Sequence, residues 1–331
     1  MARVLVTGAE GFIGSHLVEE LVSRDHDVTA MVQYNSFNSN GWLDFLPDFT
    51  KERVAIRPGD IRDAGLVREI VDGHDRVVHL AALIAIPYSY TAPASYIETN
   101  VLGTLNVLEA SRSVGVERVV HTSTSEVYGT AQYVPIDERH PLAGQSPYAA
   151  SKIGADQLAH SFWSSFGLPL VTVRPFNAYG PRQSQRAFIP SVIVQLVGNV
   201  SEIRLGSLEP TRDLTFVADT ANGFADVLES DAGVGEVFNM GSGFEVSMQR
   251  VFDVLCDISG QNPSLTVDTE RVRPAASEVE RLWSESSKIA EVFGWEPDHG
   301  GLEGLHRGLE TTYQWFKRSS GDGYSPQSYV V

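Results

Sequence analysis

Cysteine is almost absent from this sequence, with Cys256 alone in 331 residues. One cysteine cannot close an intrachain disulfide, nor can it build a thiolate metal site. No apolar run reaches the length of about 18 residues that a membrane-spanning helix needs, so no membrane segment is expected. Residues 1–6 lead straight into an apolar run, without the pattern of a signal peptide. These absences are typical of a cytoplasmic protein, which is the location we expect.

Positive charge is also scarce. The chain has 25 Lys and Arg against 42 Asp and Glu, a formal net charge of −17. This balance argues against binding to nucleic acids or anionic membranes, since both need a positive protein surface. It still allows one anionic ligand in a local basic pocket. No His-x-x-x-His pair or aspartate cluster has the spacing of metal ligands, so no metal is expected.

Short runs rich in Val and Ile alternate with amphipathic stretches over the first two-thirds of the chain. The runs lack polar alternation, which is typical of strands buried on both faces. Strand–helix alternation predicts an α/β fold with a doubly wound parallel sheet, the Rossmann class. The predicted strands are Val4–Thr7, Asp27–Val32, Val54–Arg57, Arg76–Leu80, Arg118–Ser123, Pro169–Val173 and Val234–Asn239, and the predicted helices include His16–Arg24, Ala64–Val71, Ile97–Val114 and Ser151–Phe166.

The rhythm changes near Phe176, where loops with Pro and Gly begin. A length of 331 residues predicts roughly two domains. We expect residues 1–175 and about 214–240 to form a dinucleotide-binding domain. Residues of about 176–213 and 241–316 would form a smaller lobe that binds the substrate, and 317–331 a tail.

The first strand runs into a glycine-rich loop with glycines at positions 8, 11 and 14. Gly8, Gly11 and Gly14 would allow a tight turn and a close approach of the backbone to a pyrophosphate. Phe12 and Ile13 would begin a helix whose free N–H groups face the phosphates. With a strand before it and a helix after it, the loop predicts binding of NAD or NADP, although a tight turn without ligand has the same glycines.

The choice between NAD and NADP depends on the end of the second strand. Neither an acid nor a base follows it there, only Asn35 and Ser36, which could bond either form of the ribose. NAD is favoured because no side chain at this point neutralises an extra phosphate. Asp60 follows the third strand and could either face the adenine or cap a helix.

Tyr148 and Lys152 are spaced i and i+4, which places them on one face of a helix. A lysine ammonium and a nicotinamide cation would stabilise tyrosinate and so lower the pKa of a tyrosine base. Thr124, Ser125 and Glu126 follow the fifth strand, where ligands bind in such sheets. Turn and cap roles would explain the same three residues.

Together these motifs resemble the extended short-chain dehydrogenase/reductases that act on nucleotide sugars, the NAD-dependent epimerase/dehydratase family. The resemblance rests on Gly8–Gly14, His79–Ala82, Asn100–Thr104, Ser123–Gly129, Tyr148–Lys152, Arg174–Pro181 and Arg212–Asp219. The segments Leu83–Tyr90 and Tyr34–Ser39 most resemble 4,6-dehydratases of NDP-N-acetylglucosamine.

The resemblance implies further contacts to both ligands. Cofactor contacts would come from Ile61, Leu80, Ala81, Ala82, Asn100, Thr122 and Pro175, in addition to Tyr148 and Lys152. Substrate contacts would come from Ile86, Thr124, Asn177, Arg186, Arg212, Arg273 and Glu278. Arg212 and Arg273 would bind the diphosphate, because an arginine can bond phosphate oxygens in pairs. Arg182 and Arg186 are each either a substrate contact or a solvated loop residue. His79 and His121 are expected to be packing or hydrogen-bonded residues.

The resemblance implies a 4,6-dehydratase in which Tyr148, Thr124 and Lys152 support oxidation at C4. Glu126, alone or with Ser125, would then act in the loss of water. UDP-glucuronate decarboxylases carry the same Thr-Ser-Glu triplet, whereas 4-epimerases have no need of Glu126. A redox sensor that holds NAD(P) without turnover is a further alternative, although it would not need this catalytic set. Members of the family generally pair through two long helices, so we expect a homodimer.

Overall fold

The structure is a computed structural model that describes residues 1–268 and 277–319. Arg273 and residues 320–331 lie outside the described residues. No helix in the described ranges is both long and apolar enough to cross a membrane. The strands are Arg3–Thr7 (β1), Asp27–Gln33 (β2), Val54–Gly59 (β3), Arg76–His79 (β4), Arg118–Thr122 (β5), Leu170–Pro175 (β6), Asn177–Tyr179 (β7), Glu202–Leu205 (β8), Thr211–Phe216 (β9), Val237–Met240 (β10), Glu245–Ser247 (β11) and Ser264–Val267 (β12). The helices are Phe12–Ser23 (α1), Asp48–Lys51 (α2), Ala64–Val71 (α3), Ile86–Thr91 (α4), Pro93–Tyr96 (α5), Gly103–Val114 (α6), Pro147–Phe166 (α7), Phe188–Val197 (α8), Val217–Glu229 (α9), Met248–Ser259 (α10), Ser287–Phe293 (α11) and Gly301–Arg318 (α12).

Seven strands form the central sheet in the order β3-β2-β1-β4-β5-β6-β10, and every neighbouring pair is parallel. Val4, Leu5 and Val6 are fully buried, because helices cover both faces of the sheet. The predicted fold class, a doubly wound parallel sheet, is confirmed. The strand order reverses between β1 and β4, and the crevice at such a point is where ligands bind.

A second group of elements surrounds its own apolar cluster. Strands β7, β9 and β11 form one small sheet, and β8 pairs with β12 in another. Helices α8, α10 and α12 pack on them around Val192, Leu255 and Leu309, which are fully buried. The division of the chain into two domains stays a prediction, and α12 extends through Arg318, beyond the boundary of the predicted tail.

Two helices near the crevice differ from the prediction. Helix α7 begins at Pro147, because the Ser146 hydroxyl caps it by accepting a hydrogen bond from the Ala149 N–H at 3.1 Å. Residues Ile97–Leu102 form a π-helical turn before α6, where a continuous α-helix was expected. Ile97 and Leu102 are exposed on this turn, and pairing of two subunits through these helices stays a prediction.

Candidate active site

The glycine loop turns tightly at the carboxyl end of β1. Gly8 has a left-handed φ of 68°, and a Cβ atom there would lie 2.7 Å from the Ala81 nitrogen. A Cβ atom on Gly14 would lie 2.3 Å from the Gly8 carbonyl oxygen. Helix α1 starts at Phe12 without a side-chain cap, so its first N–H groups remain available. The loop therefore offers the bare backbone cradle and helix terminus that fit a pyrophosphate.

The other strands bring their ends to the same edge. Leu80, Ala81 and Ala82 follow β4, and the Leu80 and Ala81 N–H groups donate to Thr7 at 3.2 Å each. Thr122 ends β5, and its buried hydroxyl oxygen has no hydrogen-bond partner among the described residues. Pro175 ends β6. The predicted cofactor contacts of these strands thus share one edge of the sheet.

Asn100 lies in the π-helical turn and is buried. Its side-chain carbonyl accepts from the Leu83 N–H at 2.8 Å, and its amide donates to the Leu83 oxygen and to the Ser151 hydroxyl, both at 2.9 Å. The π-helical turn and this network bring Asn100 against both the loop after β4 and α7. Asn100 therefore holds the loop that borders the crevice.

Asn35 does not have the free side chain that the sequence suggested. Its carbonyl oxygen accepts from the N–H groups of Phe37 and Ser39, and its amide donates to the carbonyls of Gln33 and Ser39. The loop itself uses this amide, and a bond from Asn35 to a ribose stays a prediction. Ser36 is exposed beside it.

Glu10 supplies an acid that the sequence analysis missed. It lies within the glycine loop, yet one of its carboxylate oxygens accepts the N–H of Gln33, the last residue of β2, at 2.9 Å. The other oxygen is buried without a hydrogen-bond partner among the described residues. Burial raises the pKa of Glu10 above its ordinary value. An acid thus stands at the end of β2, although none follows that strand in the sequence.

Asp60 pairs with Arg62, with an Nη2–Oδ2 distance of 2.6 Å. The cap of α3 is Asp63, whose carboxylate accepts the Leu66 N–H at 3.0 Å, so the alternative of Asp60 as a helix cap is wrong. Ile61 is buried in the core that also contains Val107. Its side chain therefore contributes to packing.

Tyr148, Thr124 and Glu126 converge at the end of β5, and all three are at most 9% exposed. Thr124 precedes a 3₁₀ turn, and its hydroxyl accepts the Glu126 N–H at 3.2 Å. Burial raises the pKa of Tyr148, a hydrogen bond with Thr124 opposes this, and the Glu126 carboxylate raises it further. Ser125 is buried in the same turn. The triplet and the tyrosine therefore form one chemical centre.

Lys152 lies one turn after Tyr148 on α7 and is 4% exposed. Its Nζ donates to the Thr122 carbonyl oxygen at 2.6 Å. Burial lowers the pKa of Lys152 to about 8, and the carboxylate of Asp156 opposes that effect. The lysine thus lies on the same face of α7 as the tyrosine, beside the strand end where the cofactor is expected.

Three of the predicted substrate residues come from different parts of the chain. Ile86 packs with Tyr96 against Tyr148. Burial raises the pKa of Tyr96, and the positive charge of Arg186 opposes this, which places Arg186 near the same aromatic group. Asn177 begins β7, and its buried side-chain oxygen lacks a hydrogen-bond partner among the described residues.

Arg212 is 8% exposed, and its guanidinium lies 3.4 Å from the Glu278 carboxylate. It also donates to the Thr211 carbonyl oxygen at 2.9 Å. The second predicted diphosphate contact, Arg273, lies outside the described residues. Arg182 is not a solvated loop residue, since it pairs with Glu19 on α1 at 2.7 Å and is largely buried.

His79 and His121 are buried neighbours with a ring-centroid distance of 6.0 Å. His79 bonds the hydroxyls of Thr7 and Thr104, and His121 bonds Asp156. Burial lowers the pKa of both rings. Their place in hydrogen-bonded packing agrees with the expectation. Within residues 1–268 and 277–319, no three His, Cys, Asp or Glu side chains form a group that could hold a metal ion.

The comparison with protein families is decisive for the kind of protein. The family model described as GDP-mannose 4,6 dehydratase matches residues 5–307. The chain belongs to the GDP-mannose 4,6-dehydratase family. The predicted membership of the extended short-chain dehydrogenase/reductases is thus confirmed, and with it a nucleotide-sugar enzyme of the dehydratase/epimerase type.

The relatives of this chain are named for more than one reaction. The chain is 32% identical to a dTDP-glucose 4,6-dehydratase of Actinoplanes sp. over 321 residues, which is 95% of this chain and 98% of the relative. A solved dTDP-glucose 4,6-dehydratase of Streptomyces venezuelae, with NAD bound, has 30% identity and a TM-score of 0.85, covering 96% of this chain and 98% of its own. The UDP-N-acetylglucosamine 4-epimerase of Methanobrevibacter ruminantium M1, in complex with UDP-N-acetylmuramic acid, has 29% identity and a TM-score of 0.86, covering 96% and 99%. The NAD in the Streptomyces structure agrees with the predicted use of a nicotinamide dinucleotide.

Proposed function

We propose that this protein is a nucleotide-sugar 4,6-dehydratase that converts an NDP-hexose, of the N-acetylglucosamine type, to its 4-keto-6-deoxy derivative. The observation that carries the proposal is the buried carboxylate of Glu126 beside Tyr148 and Thr124. Inversion at C4 requires only removal and return of hydrogen at C4. Elimination of water also requires a group that removes the C5 proton, and we assign that role to Glu126.

In this mechanism the residues act at two places on the sugar, the C4 hydroxyl and the C5–C6 bond. Tyr148 accepts the proton of the C4 hydroxyl, which Thr124 orients through its own hydroxyl. Lys152 holds the ribose of the cofactor. A bound nicotinamide supplies a hydride acceptor at C4 and a hydride donor at C6. Glu126 takes the C5 proton, made acidic by the C4 ketone, and passes it to the oxygen that leaves C6 as water. As hydride returns to C6, a proton from solvent adds at C5, and Tyr148 releases the C4 hydroxyl proton to solvent.

NAD is the cofactor we infer, and Glu10 supports this choice. Its carboxylate at the end of β2 would repel the 2′-phosphate of NADP, since two negative charges in a partly buried site repel strongly. The N-acetylglucosamine type is supported by the resemblance of Tyr34–Ser39 and Leu83–Tyr90. It is also supported by similarity to an enzyme that acts on UDP-N-acetylglucosamine.

The test is mass spectrometry of purified protein with UDP-GlcNAc, GDP-GlcNAc, GDP-mannose, dTDP-glucose and UDP-glucuronate in parallel reactions. We expect one substrate to yield a product lighter by one water. A Glu126→Gln variant should retain oxidation at C4, measured as reduction of the bound nicotinamide, yet lose dehydration by about 100-fold or more, as for loss of a general base. The matched control is Glu98→Gln, on the exposed side of the π-helical turn, which should dehydrate at the wild-type rate. Full dehydration by Glu126→Gln would remove this residue from the mechanism.

Decarboxylation of UDP-glucuronate is a second candidate, because Arg186 carries a positive charge near Tyr96, which packs with Tyr148. That charge could hold a C5 carboxylate while the C4 ketone promotes its loss. Release of carbon dioxide from UDP-glucuronate, with no dehydration of the other sugars, would establish this reaction. A new isomer of unchanged mass would instead identify a 4-epimerase.

A further inference from the structure

Asp156 is a fully buried carboxylate that no step of the proposed mechanism uses. It lies four residues after Lys152 and eight after Tyr148 on α7, so all three residues share one face of the helix. The side chains of Asp156 and of Arg174, its ion-pair partner, are 3% and 5% exposed. A buried charge must be compensated by partners, and the pattern of partners shows what a carboxylate is there to do.

Both oxygens of Asp156 have hydrogen-bond donors. One oxygen lies 3.1 Å from Nε2 of His121 on β5. The other accepts from the Ser123 hydroxyl at 2.8 Å and from Nε and Nη2 of Arg174 on β6, at 3.2 and 3.0 Å. These bonds fix the carboxylate between α7 and two adjacent strands, directly under the catalytic face of the helix.

Lys152 has fewer hydrogen-bond partners than Asp156 in the described structure. Among the described residues, its Nζ donates one hydrogen bond, to the neutral Thr122 carbonyl, and burial disfavours its charged form. Asp156 lies about one helical turn further along α7, and its negative charge opposes the effect of burial on the pKa of Lys152. Without that charge, a buried ammonium would lose its proton near neutral pH, and with it the ability to donate to a ribose hydroxyl.

We propose that Asp156 is a positioning residue for catalysis, the buried counter-charge that keeps Lys152 as an ammonium ion against the cofactor site. It touches neither reacting sugar nor cofactor and acts through Lys152 alone. The single negative charge of Asp156 thus compensates two positively charged side chains. Arg174 anchors the carboxylate by direct hydrogen bonds, and Lys152 receives its field.

The other titratable groups around Lys152 do not substitute for this carboxylate. His121 on β5 and His79 on β4 are kept neutral by burial, which lowers the pKa of each, and the positive charge of Lys152 lowers them further. Arg174 on β6 is cationic. Tyr148 on α7 stays a neutral phenol in the absence of a cofactor, since burial raises its pKa, and the nearby Glu126 faces that phenol.

The chain has four lysines, Lys51, Lys152, Lys288 and Lys317, so the protonation of Lys152 can be measured directly. Lysine labelled with ¹³C at Cε gives one signal for each residue, and a Lys152→Arg variant assigns the relevant one. The titration is followed from pH 6 to 10 in wild type and in Asp156→Asn. We expect the midpoint of Lys152 to fall by one pH unit or more, a tenfold or greater loss of proton affinity.

Asp156→Asn leaves the charge of Arg174 uncompensated in the interior, which can prevent folding. The double variant Asp156→Asn/Arg174→Met removes both charges. Under our proposal, the titration midpoint of Lys152 in this variant remains below the wild-type value. If Asp156 only anchors Arg174, the double variant titrates as wild type does, and the proposal is wrong. Ser123→Ala removes one hydrogen bond to Asp156 without removing charge, so its midpoint should stay at the wild-type value. A shift as large as that of Asp156→Asn would also overturn the proposal.

The kinetic consequence rests on the proposed function, whereas the titration needs neither substrate nor cofactor. In the variants that fold, turnover should decline with rising pH, and the pH at half-maximal turnover should be at least one unit lower than in wild type. The rate at saturating NAD should still recover at low pH, where Lys152 is protonated. A lowered midpoint with an unchanged pH–rate profile would show that the charge of Lys152 does not limit turnover and would refute the catalytic role of Asp156. Failure of all tested sugars to react would instead count against the dehydratase assignment and leave the titration result standing.

Discussion

His16 is expected to make the folded protein sensitive to mild acid. It lies on α1, and its Nε2 is 3.0 Å from the carbonyl oxygen of Pro181 in the loop after β7. Burial, together with the positive charge of Arg182, lowers the pKa of His16 from 6.5 to about 4. The folded protein therefore holds this ring neutral at a pH where the unfolded chain protonates it.

The sign and size of the effect follow from proton linkage. Below pH 6.5 the unfolded state binds more protons at His16 than the folded state, so stability falls as the pH drops towards 4. At roughly 1.4 kcal/mol for each pKa unit, the loss reaches about 3 kcal/mol at pH 4. About 2 kcal/mol of this is already lost between pH 7 and pH 5. That is a large part of the usual net stability of a folded protein.

Urea unfolding followed by tryptophan fluorescence at pH 7 and pH 5 measures this effect. The His16→Gln variant keeps an amide donor for the Pro181 carbonyl but cannot titrate. We expect wild type to lose about 2 kcal/mol more stability than the variant between the two pH values. His306→Gln, an exposed position on α12, is the matched control and should behave as wild type. Equal losses in wild type and His16→Gln would refute the reasoning.

Two further changes probe the cofactor loop and its attachment. Gly14→Ala should abolish retention of NAD by the purified protein and lower its melting temperature, because the new Cβ would lie 2.3 Å from the rigid Gly8 carbonyl. The control is Gly65→Ala, where the nearest atom is 3.4 Å from the new Cβ. This variant should retain NAD and keep the wild-type melting temperature. Arg182→Met should lower the free energy of unfolding by about 1–3 kcal/mol, since it leaves Glu19 without its partly buried partner. An unchanged urea midpoint would show that this pair contributes nothing.

The parts of the site that the sequence predicted well are those that depend on local spacing. Tyr148 and Lys152 share a face of α7 because four residues make about one helical turn. Gly8 and Gly14 are required where backbone atoms approach within a distance that no Cβ allows. The strands of the central sheet were predicted because burial on both faces leaves an uninterrupted apolar run.

The parts that were missed depend on long-range contacts or on competition for hydrogen bonds. Glu10 reaches the end of β2 across the glycine loop, a contact that no sequence separation indicates. The position of Asn35 after β2 did not reveal that nearby backbone groups use its amide, as asparagine often does in loops. The π-helical turn at Ile97–Leu102 has the same apolar pattern as an α-helix, so periodicity alone could not predict it.

In the proposed mechanism, the choice between dehydration and epimerisation depends on a group other than those that serve oxidation at C4. There Tyr148, Lys152 and Thr124 serve that oxidation, a step common to both reactions, so they cannot distinguish a dehydratase from an epimerase, and the chain is similar to one of each. Only a group that reaches C5 can commit the ketone to elimination. Glu126 is covered by protein, adjoins the tyrosine and follows β5 directly. Its carboxylate, rather than overall similarity, is thus the feature on which the assignment of a dehydratase depends.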